Sequence, residues 1–143
     1  MKTAIYAGSF NPFHKGHYNI LLKAEAIFDK VILVRGLNPE KPPPTYEIPD
    51  VVAKGRTIIE YHGLLTELIK KLKKEYDNIT VIRGLRNSTD LQYEMTQYRY
   101  LQDLMPDIQI VSIFCDKEYE HISSSAIKML YNLDKEQAKK YLV

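Results

Sequence analysis

Gly8 to His17 reads GSFNPFHKGH, a run that crowds two glycines, two histidines and a lysine between two apolar stretches. The stretch before it, Thr3-Ala4-Ile5-Tyr6-Ala7, has the length and composition of a buried strand. The stretch after it places Ile20, Leu21, Leu22, Ala24, Ile27 and Phe28 on one helical face. Strand, polar loop and helix in that order form the opening unit of an open α/β sheet, and ligands bind such sheets at these junctions.

The alternation continues to the end of the chain. Further strands are expected near Val31–Arg35, Thr57–Tyr61, Ile79–Ile82 and Ile108–Phe114. Helices are expected near Gly16–Phe28, Leu64–Tyr76, Asp90–Leu104, Ser124–Tyr131 and Lys135–Leu142. Strands separated by helices pair in parallel through right-handed crossovers. The expected fold is therefore α/β: a single Rossmann-like, doubly wound domain over residues 1–143, its five-stranded parallel sheet flanked by helices. Leu37 to Gly55 breaks the pattern with five prolines and reads as a long surface loop with one helical turn at Val51–Lys54.

With 143 residues, 45% of them hydrophobic, the chain suffices for one core and not for two. Its one cysteine, Cys115, excludes an internal disulfide and, ending the apolar run Ile110 to Phe114, reads as core filler. No apolar run approaches the roughly 20 residues that span a bilayer, and the first residues lack a signal-peptide pattern. A cytoplasmic protein without membrane contact is expected. The formal net charge of +2 gives no reason to expect nucleic acid as a partner. Lys70, Lys71, Lys73 and Lys74 sit opposite a stripe of Leu65, Leu68, Ile69, Leu72 and Tyr76, so they read as a solvated helix face.

Three loops carry candidate chemistry. In the first, Gly8 lets the backbone turn after the strand, and Gly16 opens the helix without a side chain, so that free N–H groups face an approaching anion. His14 and His17 could both donate to that anion. They could equally cap the helix start, or form half of a zinc site, although His62 and His121 are isolated in sequence. The second loop, Arg83-Gly84-Leu85-Arg86-Asn87-Ser88-Thr89-Asp90, offers two guanidinium groups to phosphate oxygens, unless they pair with Asp90 and Glu94. The third, His121-Ile122-Ser123-Ser124-Ser125, supplies a helix start with either an N-cap or a second anion site. In a doubly wound sheet the loops after strands one, four and five surround one crevice at the switch point. A polyphosphate ligand, a nucleotide above all, follows from that convergence, and no covalent nucleophile is in evidence.

His14-Lys15-Gly16-His17 resembles the (H/T)-x-G-H signature of the nucleotidyltransferase superfamily, and Ile122 to Ser125 resembles its I-S-S-S/T element. The block IRGLRN, then Tyr93-Glu94-Met95, then Leu104-Met105-Pro106, is similar to the bacterial phosphopantetheine adenylyltransferases. The similarity runs from Ala4 to about Lys128. It implies transfer of the adenylyl group of ATP to 4′-phosphopantetheine with Mg²⁺ on the nucleotide, in a homo-oligomer, a hexamer by resemblance. By the same resemblance His17 stabilises the pentacoordinate transition state and Lys41 reaches the reacting phosphates. Gly8, Ser9, Phe10, His14, Gly16, His17, Arg86, Glu94, Ser123, Ser124 and Ser125 would contact ATP. Ser9, Lys41 and Arg83 would contact the acceptor. No protein metal ligand is implied.

Leu101 stands where the family usually places an asparagine, the segment after Lys41 is shorter and carries a helix-breaking proline, and the end of the chain after Lys128 is abbreviated. These departures touch the acceptor side and the contacts between subunits far more than the ATP side. They leave two alternatives: the same reaction with nicotinamide or nicotinate mononucleotide as acceptor, or a non-catalytic sensor of ATP or coenzyme A. A cytidylyltransferase would share the His-x-Gly-His loop without the RGLRN block.

Overall fold

The computed structural model describes residues 1–143. Five strands, β1 (Thr3–Gly8), β2 (Lys30–Leu37), β3 (Thr57–His62), β4 (Ile79–Leu85) and β5 (Gln109–Phe114), form one sheet in the order β3-β2-β1-β4-β5. All four pairings are parallel. The chain starts in the middle, steps outward twice, then crosses to the other side, which is the doubly wound topology expected. The helices are α1 (Lys15–Ile27), α2 (Asp50–Ala53), α3 (Leu65–Leu72), α4 (Ser88–Leu104), α5 (Ser124–Leu133) and α6 (Lys135–Lys139).

Strand β1 has no polar face because helices cover both of its sides. Ala4 and Tyr6 point into a cluster with Ile20, Leu21 and Ala24 of α1, while Ile5 points into a second cluster with Leu68 and Ile69 of α3. Leu21 and Ile5 are fully buried. Each such side chain contributes about 1.5–3 kcal/mol relative to exposure. The lysines of α3 stand outside this packing as expected: Lys73 pairs with Asp107 at 3.2 Å, and Lys71 lies over the Tyr61 ring.

Two helices end before their periodicity does. After Leu72 the N–H groups of Lys74 and Glu75 bond three residues back rather than four, so α3 tightens and stops, yet Leu72 and Tyr76 keep their places against the core. Helix α6 ends at Lys139 for the same reason, and Leu142 then pairs with His14. The proline-rich segment is a loop up to Pro49, followed by the short α2, whose Val52 is fully buried. The loop is tethered: Asn11 Oδ1 accepts the N–H groups of Thr45 and Tyr46 at 3.1 and 3.0 Å.

Candidate active site

The loops after β1, β4 and β5 meet at the carboxyl ends of the strands around a cleft of about 370 Å³. Its walls carry Gly8, Phe10, His14, Gly16 and His17 from the first loop, Arg83, Arg86 and Glu94 from the second loop and α4, and Ser123 to Ser125 from the third. The convergence expected at the switch point is present. Cys115 also reaches the wall, half-buried, and burial raises its thiol pKa.

The start of α1 differs from expectation, because its N–H groups are not free. His14 Nδ1 accepts the N–H groups of Gly16 and His17 at 3.1 and 3.3 Å, and His17 Nδ1 accepts that of His14 at 3.1 Å. Lys15 N–H donates to Tyr141 O at 2.9 Å. The two imidazoles are stacked, with centroids 3.7 Å apart. A ring whose Nδ1 accepts a backbone N–H carries its proton on Nε2 when neutral. Burial, with the Arg86 charge, lowers the His14 pKa to about 4, and burial with the neighbouring groups holds His17 well below the ordinary value. Both rings are therefore neutral Nε2–H donors at pH 7. Capping, which the sequence leaves as an alternative to donation, occupies Nδ1 of each ring and leaves Nε2 free to donate.

The reasons expected for the glycines change too. The turn after β1 is made not at Gly8 but at Phe10, which stands at φ 47° before a cis Asn11–Pro12 bond. Gly8 is needed because a Cβ there would lie 2.9 Å from Phe10 Cε1. A Cβ on Gly16 would likewise meet His14 Cε1 at 2.9 Å. Phe10 is buried, and its ring stands edge-on to His17 with centroids 5.0 Å apart.

At α5 the free N–H groups do exist. Ser123 Oγ caps the helix through Ala126 N–H, and Ser124 Oγ donates to Pro12 O at 3.1 Å. The N–H groups of Ser124 and Ser125 keep no protein acceptor, and they face the cleft where an anion fits.

Both arginines of the second loop pair with the carboxylates that competed for them in the sequence. Arg83 is bidentate to Glu94 at 2.7 and 2.9 Å. Arg86 is bidentate to Asp90 at 3.0 and 3.2 Å, and donates to Ile122 O at 3.1 Å, which ties the second loop to the third. The guanidinium holds the Asp90 carboxyl below its ordinary pKa against the opposing effect of burial. Glu94 lines the cleft with both oxygens committed to Arg83.

Ser9 and Lys41 lie apart from these walls. They line a neighbouring groove of about 570 Å³ between the first loop and the proline-rich loop, with Asn11, Asn38, Glu60 and His62. Nowhere do three His, Cys, Asp or Glu side chains converge as metal ligands, and no helix is long and apolar enough to cross a membrane. The residue that sequence reasoning missed is Arg35, 3% exposed, whose guanidinium donates to Ser9 O, Phe10 O and Tyr46 O. An arginine closing an apolar strand reads in sequence as a residue reaching solvent.

Residues 5–130 match the model of the cytidylyltransferase-like family. The phosphopantetheine adenylyltransferase of Mycoplasma mycoides is 36% identical over 137 residues, covering 90% of this chain and 95% of the relative. That of Clostridium botulinum is 35% identical over 138 residues, covering 91% and 82%. Among solved structures, one described as a nicotinate-nucleotide adenylyltransferase from Vibrio parahaemolyticus superposes with a TM-score of 0.67 at 16% identity, over 100% of this chain and 94% of its own. That likeness is one of fold alone. With the cleft at the switch point, the His-x-Gly-His loop and the serine-started helix, the chain belongs to the phosphopantetheine adenylyltransferase family of cytidylyltransferase-like proteins.

Proposed function

We propose that this protein transfers the adenylyl group of ATP to the phosphate of 4′-phosphopantetheine, giving dephospho-coenzyme A and pyrophosphate. The observation that carries the reading is the cleft, in which two neutral Nε2–H donors face two free helix N–H groups and two fixed guanidiniums. Such a set recognises a polyphosphate without supplying a base.

None is needed. A phosphate monoester with a second pKa near 6 is mostly dianionic at neutral pH, so its oxygen attacks the α-phosphorus directly. The new P–O bond forms as the bond to the bridging oxygen of the β-phosphate breaks, and pyrophosphate leaves with that electron pair. His17 donates from Nε2–H to the oxygens of the α-phosphorus, with His14 beside it on the phosphates. Hydrogen bonds in a desolvated site, already aimed at the charge that develops, supply transition-state stabilisation without reorganisation. The N–H groups of Ser124 and Ser125 and the Arg86 guanidinium hold the nucleotide. Arg83, steadied by Glu94, takes the acceptor phosphate, while Lys41 and Ser9 reach it from the neighbouring groove. Asp90 and Glu94 are each committed to an arginine, so an Mg²⁺ ion arriving with the nucleotide would find no free carboxylate among them, and the chemistry it would supply is neutralisation of the triphosphate's charge.

Self-association is part of the same reading, and the hexamer is the state the resemblance implies. Helix α4 has no fully buried residue, and Tyr93, Met95, Tyr100 and Leu104 on it stand exposed, as does Phe114 on the edge strand β5. Apolar exposure on that scale supports an interface. Sedimentation equilibrium tests it.

The functional test is pyrophosphate release from Mg-ATP, offered phosphopantetheine or nicotinamide mononucleotide in parallel. Release with phosphopantetheine alone supports the proposal. Release with the mononucleotide alone replaces the acceptor, and ATP binding without release with either reduces the protein to a sensor.

A further inference from the structure

Arg35 lies two residues before the end of β2, toward the carboxyl edge of the sheet, in register with Gly8 of β1 and Glu60 of β3. It forms no ion pair within contact distance. Its three donor contacts go instead to main-chain carbonyls: Nε to Ser9 O at 3.0 Å, and Nη2 to Phe10 O at 2.8 Å and to Tyr46 O. Burial disfavours its charge, Glu60 and Glu47 favour it from beyond contact distance, and a buried guanidinium with no carboxylate bonded to it is costly before compensation. An apolar side chain would fill the same space without that cost, so packing does not account for an arginine here.

The contacts themselves do. Phe10 stands at φ 47°, a region that costs a non-glycine residue on the order of 1–2 kcal/mol. Arg35 grips the carbonyls on both sides of the Ser9–Phe10 step into that conformation. The Phe10 ring is held against Tyr6 and Phe13, and the His17 ring rests edge-on against it. Through Tyr46 O the same guanidinium reaches the proline-rich loop that carries Lys41. Only a planar fork with donors at fixed angles spans three carbonyls from two loops; an ammonium group does not.

We propose that Arg35 is a positioning residue for adenylyl transfer: by clamping Ser9, Phe10 and Tyr46 it fixes the His17 ring on the phosphate side and the Lys41 loop on the acceptor side. The proposal rests on the function proposed above. Arg35 touches no substrate in this reading and acts entirely through the two loops.

The test compares Arg35→Ala, Arg35→Lys and Arg35→Met with the unaltered protein in kcat, in KM for each substrate and in thermal midpoint. Guanidinium ion is added back at millimolar concentration to Arg35→Ala. Misplacing a reacting group by about an ångström costs on the order of 100-fold, so kcat should fall about 10- to 100-fold in all three variants, with KM for ATP nearly unchanged. Guanidinium should restore much of the kcat of Arg35→Ala and none of that of His17→Ala. Nitrogen-15 spectra of labelled histidine, which need no turnover, should show the His17 ring exchanging between environments in Arg35→Ala and settling when guanidinium is added. Full kcat in Arg35→Met, or a loss confined to KM for ATP, overturns the proposal. So does a loss that tracks the thermal midpoint with no rescue and an unchanged histidine spectrum. If the unaltered protein does not turn over phosphopantetheine while the histidine spectra behave as stated, the proposed reaction fails and the positioning role of Arg35 stands.

Discussion

Replacing His17 with alanine separates two things the imidazole does. On the Nε2 side it removes a preorganised donor in a desolvated cleft. Loss of one such donor costs about 10²- to 10³-fold in kcat, or about 2.7–4 kcal/mol. On the Nδ1 side it leaves the His14 N–H without the acceptor now 3.1 Å away, half of a reciprocal cap. Losing a capping contact typically costs about 1 kcal/mol of stability, which in a domain of this size moves the melting midpoint by about 2–4 °C. The variant should therefore fold, melt a few degrees early and bind ATP, yet release pyrophosphate hundreds of times more slowly in a coupled assay. The pH profile adds a second criterion. A neutral donor whose pKa lies well below the usual histidine range has nothing to titrate near pH 7, so the one ionisation visible there is the acceptor phosphate's own, near pH 6. It should survive unchanged in His17→Ala. A kcat loss of less than about fivefold, or a pH step that vanishes with the imidazole, would refute the donor assignment.

The other predictions follow from neighbouring contacts. His14 is 4% exposed, with a pKa of about 4 against 6.5 when unfolded. Between those values the unfolded chain binds a proton that the folded chain refuses, so the His14 contribution is full above pH 6.5 and falls by about 3 kcal/mol as pH drops to 4. Denaturant melts across that window should show the slope, to which His17 adds its own share, and His14→Asn, which keeps a capping acceptor, should make it shallower without abolishing it. Arg83→Ala should raise the acceptor's KM at least tenfold, because Glu94 is left as a bare carboxylate beside an incoming anion. Arg83→Ala combined with Glu94→Ala should recover part of that loss, and simple additivity would contradict the pairing. Gly8→Ala should cost about 1–3 kcal/mol in urea melts and slow turnover, since its Cβ meets the Phe10 ring at 2.9 Å and displaces it toward His17. Asn11→Ala should leave KM for ATP alone and raise that for the acceptor, because it frees Thr45 and Tyr46 of the proline-rich loop.

The sheet and the meeting of three loops were legible in the sequence because burial writes itself into residue type. β1 is covered on both faces and reads as an unbroken apolar run; α1 is covered on one and reads as a stripe. The helix ends were less legible. α3 and α6 stop through changes in backbone hydrogen bonding, while Tyr76 goes on packing in helical phase. The polar side of the site was harder still. Spacing could not decide between capping and donation at His14 and His17, because the two nitrogens of each ring serve different partners. Arg83 with Glu94, and Arg86 with Asp90, could be named as rivals of phosphate but not decided by spacing. Arg35 left no trace at all, since its partners are carbonyl oxygens that every residue has.

A contact between residues far apart in sequence bears on how the candidate site holds together. The helix that begins with His14 and His17 has its first N–H bonded to Tyr141 O, and His14 itself bridges to Leu142. With α5 in place but Tyr141 undocked, all three loops of the cleft and both imidazoles are present, yet the carbonyl that closes the start of α1 is missing. The His14–His17 loop and the turn that follows α6 thus assemble together. Fraying of the residues after Lys139 would therefore loosen the start of α1, and a substitution at Leu142 acts beside His14 although it is remote from the cleft in sequence.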